Sequence, residues 1–298
     1  MMFHQSVLLK ESIEGLAIHP DGTYVDATYG GGGHSAEILN KLQSGRLFAF
    51  DQDQEALNNT IPDPRITMIK SNFRYIRNFL KLYKAVPVDG ILADLGVSSH
   101  QIDDPGRGFS TRYDGDLDMR MDRTKALSAK QIINHYSEEK LSELFYSYAD
   151  LSHAKKIARV ITTARKDQEI TTTNDLRKIL SSCAEKGREN KFLAQVFQAI
   201  RIETNQEIDS LKELLMQSLD LLKAGGRIVI LSYHSIEDRL VKDFFRSGNF
   251  RGDIQKDFYG NAIVPLKIIT RKPIVAQEEE IQENSRARSV RLRIAEKI

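Results

Sequence analysis

The stretch DATYGGGGHSAEIL, residues 26–39, decides how the rest of the chain is read. Glycine loses more backbone entropy on folding than any other residue, so four in a row persist only where something requires them. Asp26 stands just before the run, and Ile38, Leu39 and Leu42 follow it at helical spacing. The run GTYVDAT (22–28) that leads into it is β-rich. Strand, glycine turn and helix, in that order, bring backbone N–H groups and a helix N-terminus close to a ligand. The competing reading is a tight turn with Ser35 capping the helix.

Further strand patterns follow in GRLFAFDQD (45–53), RITMIKSNF (65–73) and VDGILADLG (88–96), the last two separated by the helical RYIRNFLKLY. Alternation of strand and helix predicts a parallel, helix-covered sheet. From about 123 to 200 the patterns are helical only: AKQIINHYSEEKLSELFYSYA, SHAKKIARVITTARK, TNDLRKILSSCAEK and LAQVFQAIR. The helical NQEIDSLKELLMQSLDLLKAGG then ends on Gly225-Gly226, read as a helix stop, and the strand RIVILSYHS (227–235) follows. AIVPLKIIT (262–270) and SVRLRIAE (289–296) read as a closing antiparallel pair, and the acidic QEEEIQEN (277–284) as a solvated loop. The expectation is an α/β protein: residues 1–122 and 201–298 form one sheet domain, and 123–200 an inserted all-helical domain.

Composition narrows the classes. The 298 residues carry 43 basic and 41 acidic side chains, a formal charge of +2, with 41% hydrophobic and 28% charged residues. These are the proportions of a soluble globular protein with ample core. The single cysteine, Cys183, leaves no internal disulfide and no zinc cluster, which points to a reducing compartment and no metal. No apolar run approaches membrane-spanning length, and MMFHQSVLLKES lacks the pattern of a signal peptide. A cytoplasmic location is expected.

The strand ends carry the chemistry. The glycine run lacks the closing glycine of a dinucleotide fingerprint, and Asp26 would repel a pyrophosphate. An acid there suits a cationic ligand such as the amino end of S-adenosylmethionine. Asp51, nineteen positions after Gly32, is placed to accept ribose hydroxyls. Asp94 ends a third buried run, and Gly96, Ser98 and Ser99 follow in a polar loop. Open α/β sheets bind ligands outside the carboxyl ends of their strands. Phe73 closes the remaining strand, as an adenine-stacking ring or as core.

Taken together, the motifs resemble the bacterial 16S ribosomal RNA (cytosine-N(4))-methyltransferase family RsmH, formerly MraW. The residues that carry the resemblance run in order along nearly the whole chain: HQSVLLKE (4–11), DATYGGGGHS (26–35), FDQD (50–53), DLGVSSHQ (94–101), RGFSTRYDGDLDMRMD (107–122), FQAIRIETNQE (197–207), SYHSIEDRLVK (232–242) and NSRARSVRLR (284–293). The resemblance implies a class I, Rossmann-like methyltransferase sheet with a helical insertion, acting on a cytosine amine in the decoding region. It implies S-adenosylmethionine contacts at Gly32, Gly33, His34, Asp51, Phe73, Asp94 and Gln101, beside Asp26 and Gly30 of the loop. The chain departs from the family pattern at Ser6 and Asp116, where proline is usual, and within the insertion at Ala149–Leu151 and Ala194-Gln195.

A cytosine amine is a poor nucleophile, so it needs acceptors for its N–H groups; Ser98, Ser99 and the carbonyls after Asp94 are the candidates. His234, after the strand 227–233, reads as a proton acceptor, a helix cap or a phosphate ligand. Asp238 and Arg239 read as a structural pair, and DGDLDMRMDR (114–123) as an ion-paired lid rather than a calcium loop. Residues 151–200 hold ten basic against five acidic side chains. Lys155, Lys156 and Arg159 there, with Arg286, Arg288 and Arg291 later, are the expected RNA contacts. No aromatic RNA-recognition signature is legible, which points to a structured ribosomal substrate within a small-subunit particle. A homodimer is compatible with the sequence. The rival classes are a nicotinamide-dependent oxidoreductase and a non-enzymatic RNA-binding assembly protein.

Overall fold

The computed structural model describes residues 6–298; Met1–Gln5, which include the start of the motif HQSVLLKE, lie outside the described residues. The chain divides into two compact units, one running to Gly96 and resuming at Ile208–Ile298, the other Val97–Glu207.

The first unit is built on seven strands: β1 (Thr23–Asp26), β2 (Arg46–Asp51), β3 (Ile66–Lys70), β4 (Val88–Asp94), β5 (Leu222–Ser232), β8 (Leu266–Ile268) and β9 (Arg291–Lys297), with the short strands β6 (Gln255–Lys256) and β7 (Ala262–Ile263) forming a separate hairpin. The sheet order is β3-β2-β1-β4-β5-β9-β8. The pairs among β1 to β5 are parallel, and β9 runs antiparallel between β5 and β8. Successive residues face opposite sides of a strand. Val25, Phe48, Ile91, Ile228 and Ile230 therefore join one core cluster. Tyr24, Leu47, Leu92, Val229 and Leu231 join another. Helices α1 (Leu9–Leu16) and α2 (Gly33–Lys41) pack into the second cluster. Helices α4 (Ile76–Leu82), α11 (Glu207–Leu221) and α12 (Ser235–Ser247) pack into the first, and α3 (Gln54–Leu57) is a single turn after β2. The chain doubles back between β3 and β4, so the order reverses at the β1/β4 crevice. Doubly wound sheets bind ligands at such a point.

Two local expectations fail. Helix α11 ends at Leu221 and passes directly into β5, so Gly225-Gly226 is not the helix stop. Gly225 instead takes a φ of +77°, and the register with β4 shifts between Val88 and Gly90. Residues 277–284 are not a loop: α13 (Glu278–Glu283) forms there, its first turn acidic as the helix dipole favours. The Glu280 carboxylate accepts the Leu8 N–H at 2.7 Å.

The second unit holds α5 (Ser99–Asp103) and, around one core, α6 (Ala129–His135), α7 (Glu138–Ala149), α8 (Ala154–Ala164), α9 (Thr173–Leu180) and α10 (Glu189–Asn205). It is wider than the 123–200 read from the sequence. The reason is packing: Leu117 and Met119, in a segment without regular structure, are buried in the helical core, and Met119 O accepts from Asn205 Nδ2. Asp118 pairs with Arg120 at 2.6 Å and lies 3.6 Å from Arg123, so the acidic run is locally ion-paired.

Candidate active site

The glycine loop is held from within. Gly30 and Gly32 adopt φ of +52° and +79°, which only glycine reaches without strain. A Cβ on Gly32 would sit 2.6 Å from the Tyr29 hydroxyl, and one on Gly33 2.1 Å from Ser6 Oγ. A Cβ on Gly31 would meet nothing within 4 Å. Thus a side chain at Gly32 or Gly33 would press on Tyr29 or Ser6 from within the protein, while the loop is open at Gly31. Ser35 does not cap α2; the N-cap is Gly32, and Ser35 Oγ donates to Asp26 Oδ2 at 2.7 Å. The first intrahelical bond of α2 is Ala36 N–H to Gly32 O. The N–H groups before it in the first turn have no helical acceptor and define a pole for negative or electron-rich groups.

The strand-end acids differ in what they can do. Asp26 is 0% exposed, with its other oxygen taken by the Thr28 N–H at 3.0 Å. Burial raises its pKa. Through these two bonds Asp26 braces the turn and the start of α2. Asp51 is partly exposed, and its oxygens accept the Gly30 and Asp53 N–H groups, each at 2.8 Å. Burial raises its pKa to about 6 against the lowering effect of those two bonds. Asp94 Oδ1 accepts the Tyr233 hydroxyl at 2.8 Å, and its Oδ2 lies 3.9 Å from His34 Nδ1. Burial pushes Asp94 up to about 7; the Tyr233 bond opposes this and the Glu237 charge adds to it. The phenol of Tyr233 is itself raised well above its ordinary value by burial and by Asp94. His34 is buried, its Nε2 3.2 Å from Val7 O, and burial lowers its pKa. Phe73 is half-buried against the core at the end of β3, just after Asn72, whose amide donates to Gln52 Oε1.

His234 is the N-cap of α12, its Nδ1 accepting the Glu237 N–H. Its Nε2 lies 3.0 Å from Glu237 Oε1, close but not aligned as a hydrogen bond. The other Glu237 oxygen accepts the Tyr233 N–H. Of the three roles read for His234, the helix cap has a geometric counterpart. Asp238 does not pair with Arg239. Its carboxylate takes Arg293 Nε at 2.6 Å and Arg291 Nη1 at 2.9 Å, both from β9. Arg291, expected on RNA, is thus already paired on one side.

In the helical unit, Ser98 and Gln101 form a capping box at the start of α5: Ser98 Oγ accepts the Gln101 N–H and Gln101 Oε1 accepts the Ser98 N–H. Ser99 is the first residue of α5. Lys155, Lys156 and Arg159 are exposed on α8, with Arg159 3.5 Å from Glu138. Arg288 is exposed and Arg286 half-exposed in the short helical turn before β9.

A mostly parallel seven-stranded sheet of this order, with a glycine turn opening onto a helix N-terminus at the switch point, is the Rossmann-like architecture of an α/β enzyme that binds a nucleoside-containing cofactor. The description "MraW methylase family" matches residues 1–298, and the chain belongs to that family. Relatives include the Ribosomal RNA small subunit methyltransferase H of Christiangramia forsetii, 54% identical over 100% of this chain and 99% of its own length. Those of Bacteroides thetaiotaomicron and Cytophaga hutchinsonii are 51% and 53% identical, covering 98% and 100% of their lengths. The protein is a methyltransferase, and its cofactor is S-adenosylmethionine. The site fits that cofactor: Gly31 leaves open space, Asp51 is partly exposed, and α2 offers N–H groups. No helix among the described residues is long and apolar enough to cross a membrane.

Proposed function

We propose that the protein methylates the exocyclic N4 amine of one cytosine in the decoding region of small-subunit ribosomal RNA, in the cytoplasm and within a small-subunit particle. The observation that carries this is identity of 50–54% along essentially the whole chain to proteins named Ribosomal RNA small subunit methyltransferase H. S-adenosylmethionine, when bound, supplies an electrophilic methyl on a sulfonium sulfur. Asp51 accepts the ribose hydroxyls with the lone pairs its backbone bonds leave. Gly30, Gly32, Gly33 and His34 would present the loop and helix start to it, Phe73 would flank the adenine, and Asp94 would orient the methionine end. The target base leaves its stack to reach the site.

The chain's main contribution is alignment and exclusion of water. Carbonyls after Asp94 and the hydroxyl of Ser99 accept the amine N–H groups. Ser98 holds the loop's shape through its capping box, and His234 holds the start of α12, so neither is assigned a proton. The amine's proton leaves to solvent. The 97–207 unit engages RNA through Lys155, Lys156 and Arg159. The test is mass spectrometry of small-subunit RNA from a strain lacking the protein, with methyl incorporation restored by the purified enzyme. Persistence of the modification in that strain refutes the reading. Calorimetry with NAD separates the oxidoreductase alternative.

A further inference from the structure

The excursion between α12 and β8 carries two bare aromatic rings. Among the described residues Phe258 is 97% exposed and Tyr259 85%, whereas the next large apolar side chain, Leu82, is at 73%. The two rings meet edge to face with centroids 5.6 Å apart, at the tip of the β6–β7 hairpin. The tip is braced. Asp257 Oδ1 accepts the Tyr259 and Asn261 N–H groups, Asp257 Oδ2 accepts the Asn261 amide, and Gly260 donates to Asp257 O. At the base, Asn249 Oδ1 accepts the Arg251 and Asp253 N–H groups. Water disfavours two bare aromatic rings, and a turn tied this closely holds them out rather than letting them fold back onto the core.

Charge selects the partner. Residues 246–272 contain six basic and two acidic side chains. All six basic ones are exposed, and among the described residues Arg251, Lys256, Arg271 and Lys272 have no ion-pair partner. A second copy meeting this surface about a two-fold axis would set the same positive patch against itself. Exposed rings beside cations match a strand that offers base faces and phosphates together.

We propose that Phe258 and Tyr259 are a stacking platform for an unpaired base of the ribosomal RNA substrate, with Arg251 and Lys256 on the flanking phosphates. The inference rests on the ribosomal RNA reading above and adds a contact that the sequence did not disclose. The test compares wild type with the double variant Phe258→Ala/Tyr259→Ala on small-subunit particles and on a single-stranded oligoribonucleotide. The expected result is KM for particles and Kd for the oligonucleotide both raised about tenfold or more, with kcat and cofactor affinity unchanged. Phe258→Trp/Tyr259→Trp should restore both. Unchanged KM and Kd in the alanine variant overturn the proposal. A change in oligomeric state with unchanged KM and Kd does so too and gives the surface to a second copy. If wild type methylates no small-subunit RNA but the variant still loses oligonucleotide affinity, the platform stands and the substrate reading falls.

Discussion

The Tyr233 hydroxyl, at the end of β5, donates to the carboxylate of Asp94, at the end of β4, at 2.8 Å. The two strands are parallel neighbours, with Asp94 in register with Leu231. The bond stabilises the charged form of an acid whose burial favours the neutral one. In Tyr233→Phe the Asp94 pKa should rise above about 7, moving the pH dependence of cofactor affinity to higher pH by about one unit. Calorimetric titrations from pH 6 to 9 measure this; superimposable profiles would remove Asp94 from cofactor binding.

Asp94 also ties stability to pH. Its folded pKa of about 7 lies above the ordinary 3.8, so between those values the native state holds the proton more tightly than the unfolded chain. Its contribution is complete below pH 4 and is lost as pH rises through 7. The lowered pKa of His34 acts in the opposite sense below its ordinary 6.5. The comparison is therefore wild type against Asp94→Asn. The variant should gain stability relative to wild type from pH 4 to 8, by at most about 4 kcal/mol. Urea midpoints that move in parallel would show that Asp94 does not carry the linkage.

Asp51→Ala strips the acceptor from the Gly30 and Asp53 N–H groups as well as from any ribose. Cofactor affinity should fall by about 1.5–3 kcal/mol for each charge-assisted bond lost. The fold should survive with a modestly lower Tm. Unchanged affinity in a folded variant would exclude Asp51 from the site.

Asp238 separates two arginines by burial. Asp238→Asn leaves the buried Arg293 without its counter-charge and should cost about 3–5 kcal/mol in urea unfolding. Arg291→Ala removes a half-exposed partner and should cost less than about 1 kcal/mol. Equal losses would mean that the pairs act as one network.

Charge reversal at Lys155, Lys156 and Arg159 should weaken binding to small-subunit particles and flatten its dependence on salt. Filter binding between 50 and 200 mM salt, conditions chosen for the steepness of the effect, reads both. Loss of cofactor affinity with particle binding intact would reverse the roles given to the two units.

What was legible in the sequence was what local pattern specifies. Strand, turn and helix around residues 22–51 follow from periodicity, and Asp51 and Asp94 stand at their strand ends because apolar runs stop there. Partnerships made across the sheet were hidden. Tyr233 meets Asp94 only because β5 lies beside β4. Adjacent residues on a helix point in different directions, so Asp238 cannot use Arg239 and turns to β9 instead. Helix α13 lacked an apolar stripe to announce it; its place is set in part by the long-range bond from Glu280 to Leu8. The aromatic tip was missed because Phe258 and Tyr259 resemble core residues until their exposure is known.

The placement of β9 between β5 and β8 has a temporal consequence for a chain emerging during synthesis. Domains fold as their segments become available, N-terminal parts first. Strands β1 to β5 can pair once residue 232 is out, but β5 then offers an open edge and β8 has no neighbour in the sheet until residues 291–297 arrive. Through that interval of some sixty residues, the hydrophobic flank of β5 is a template for the wrong strand. Synthesis speed through residues 233–290 and chaperone supply should therefore govern yield more than the stability of the finished sheet does.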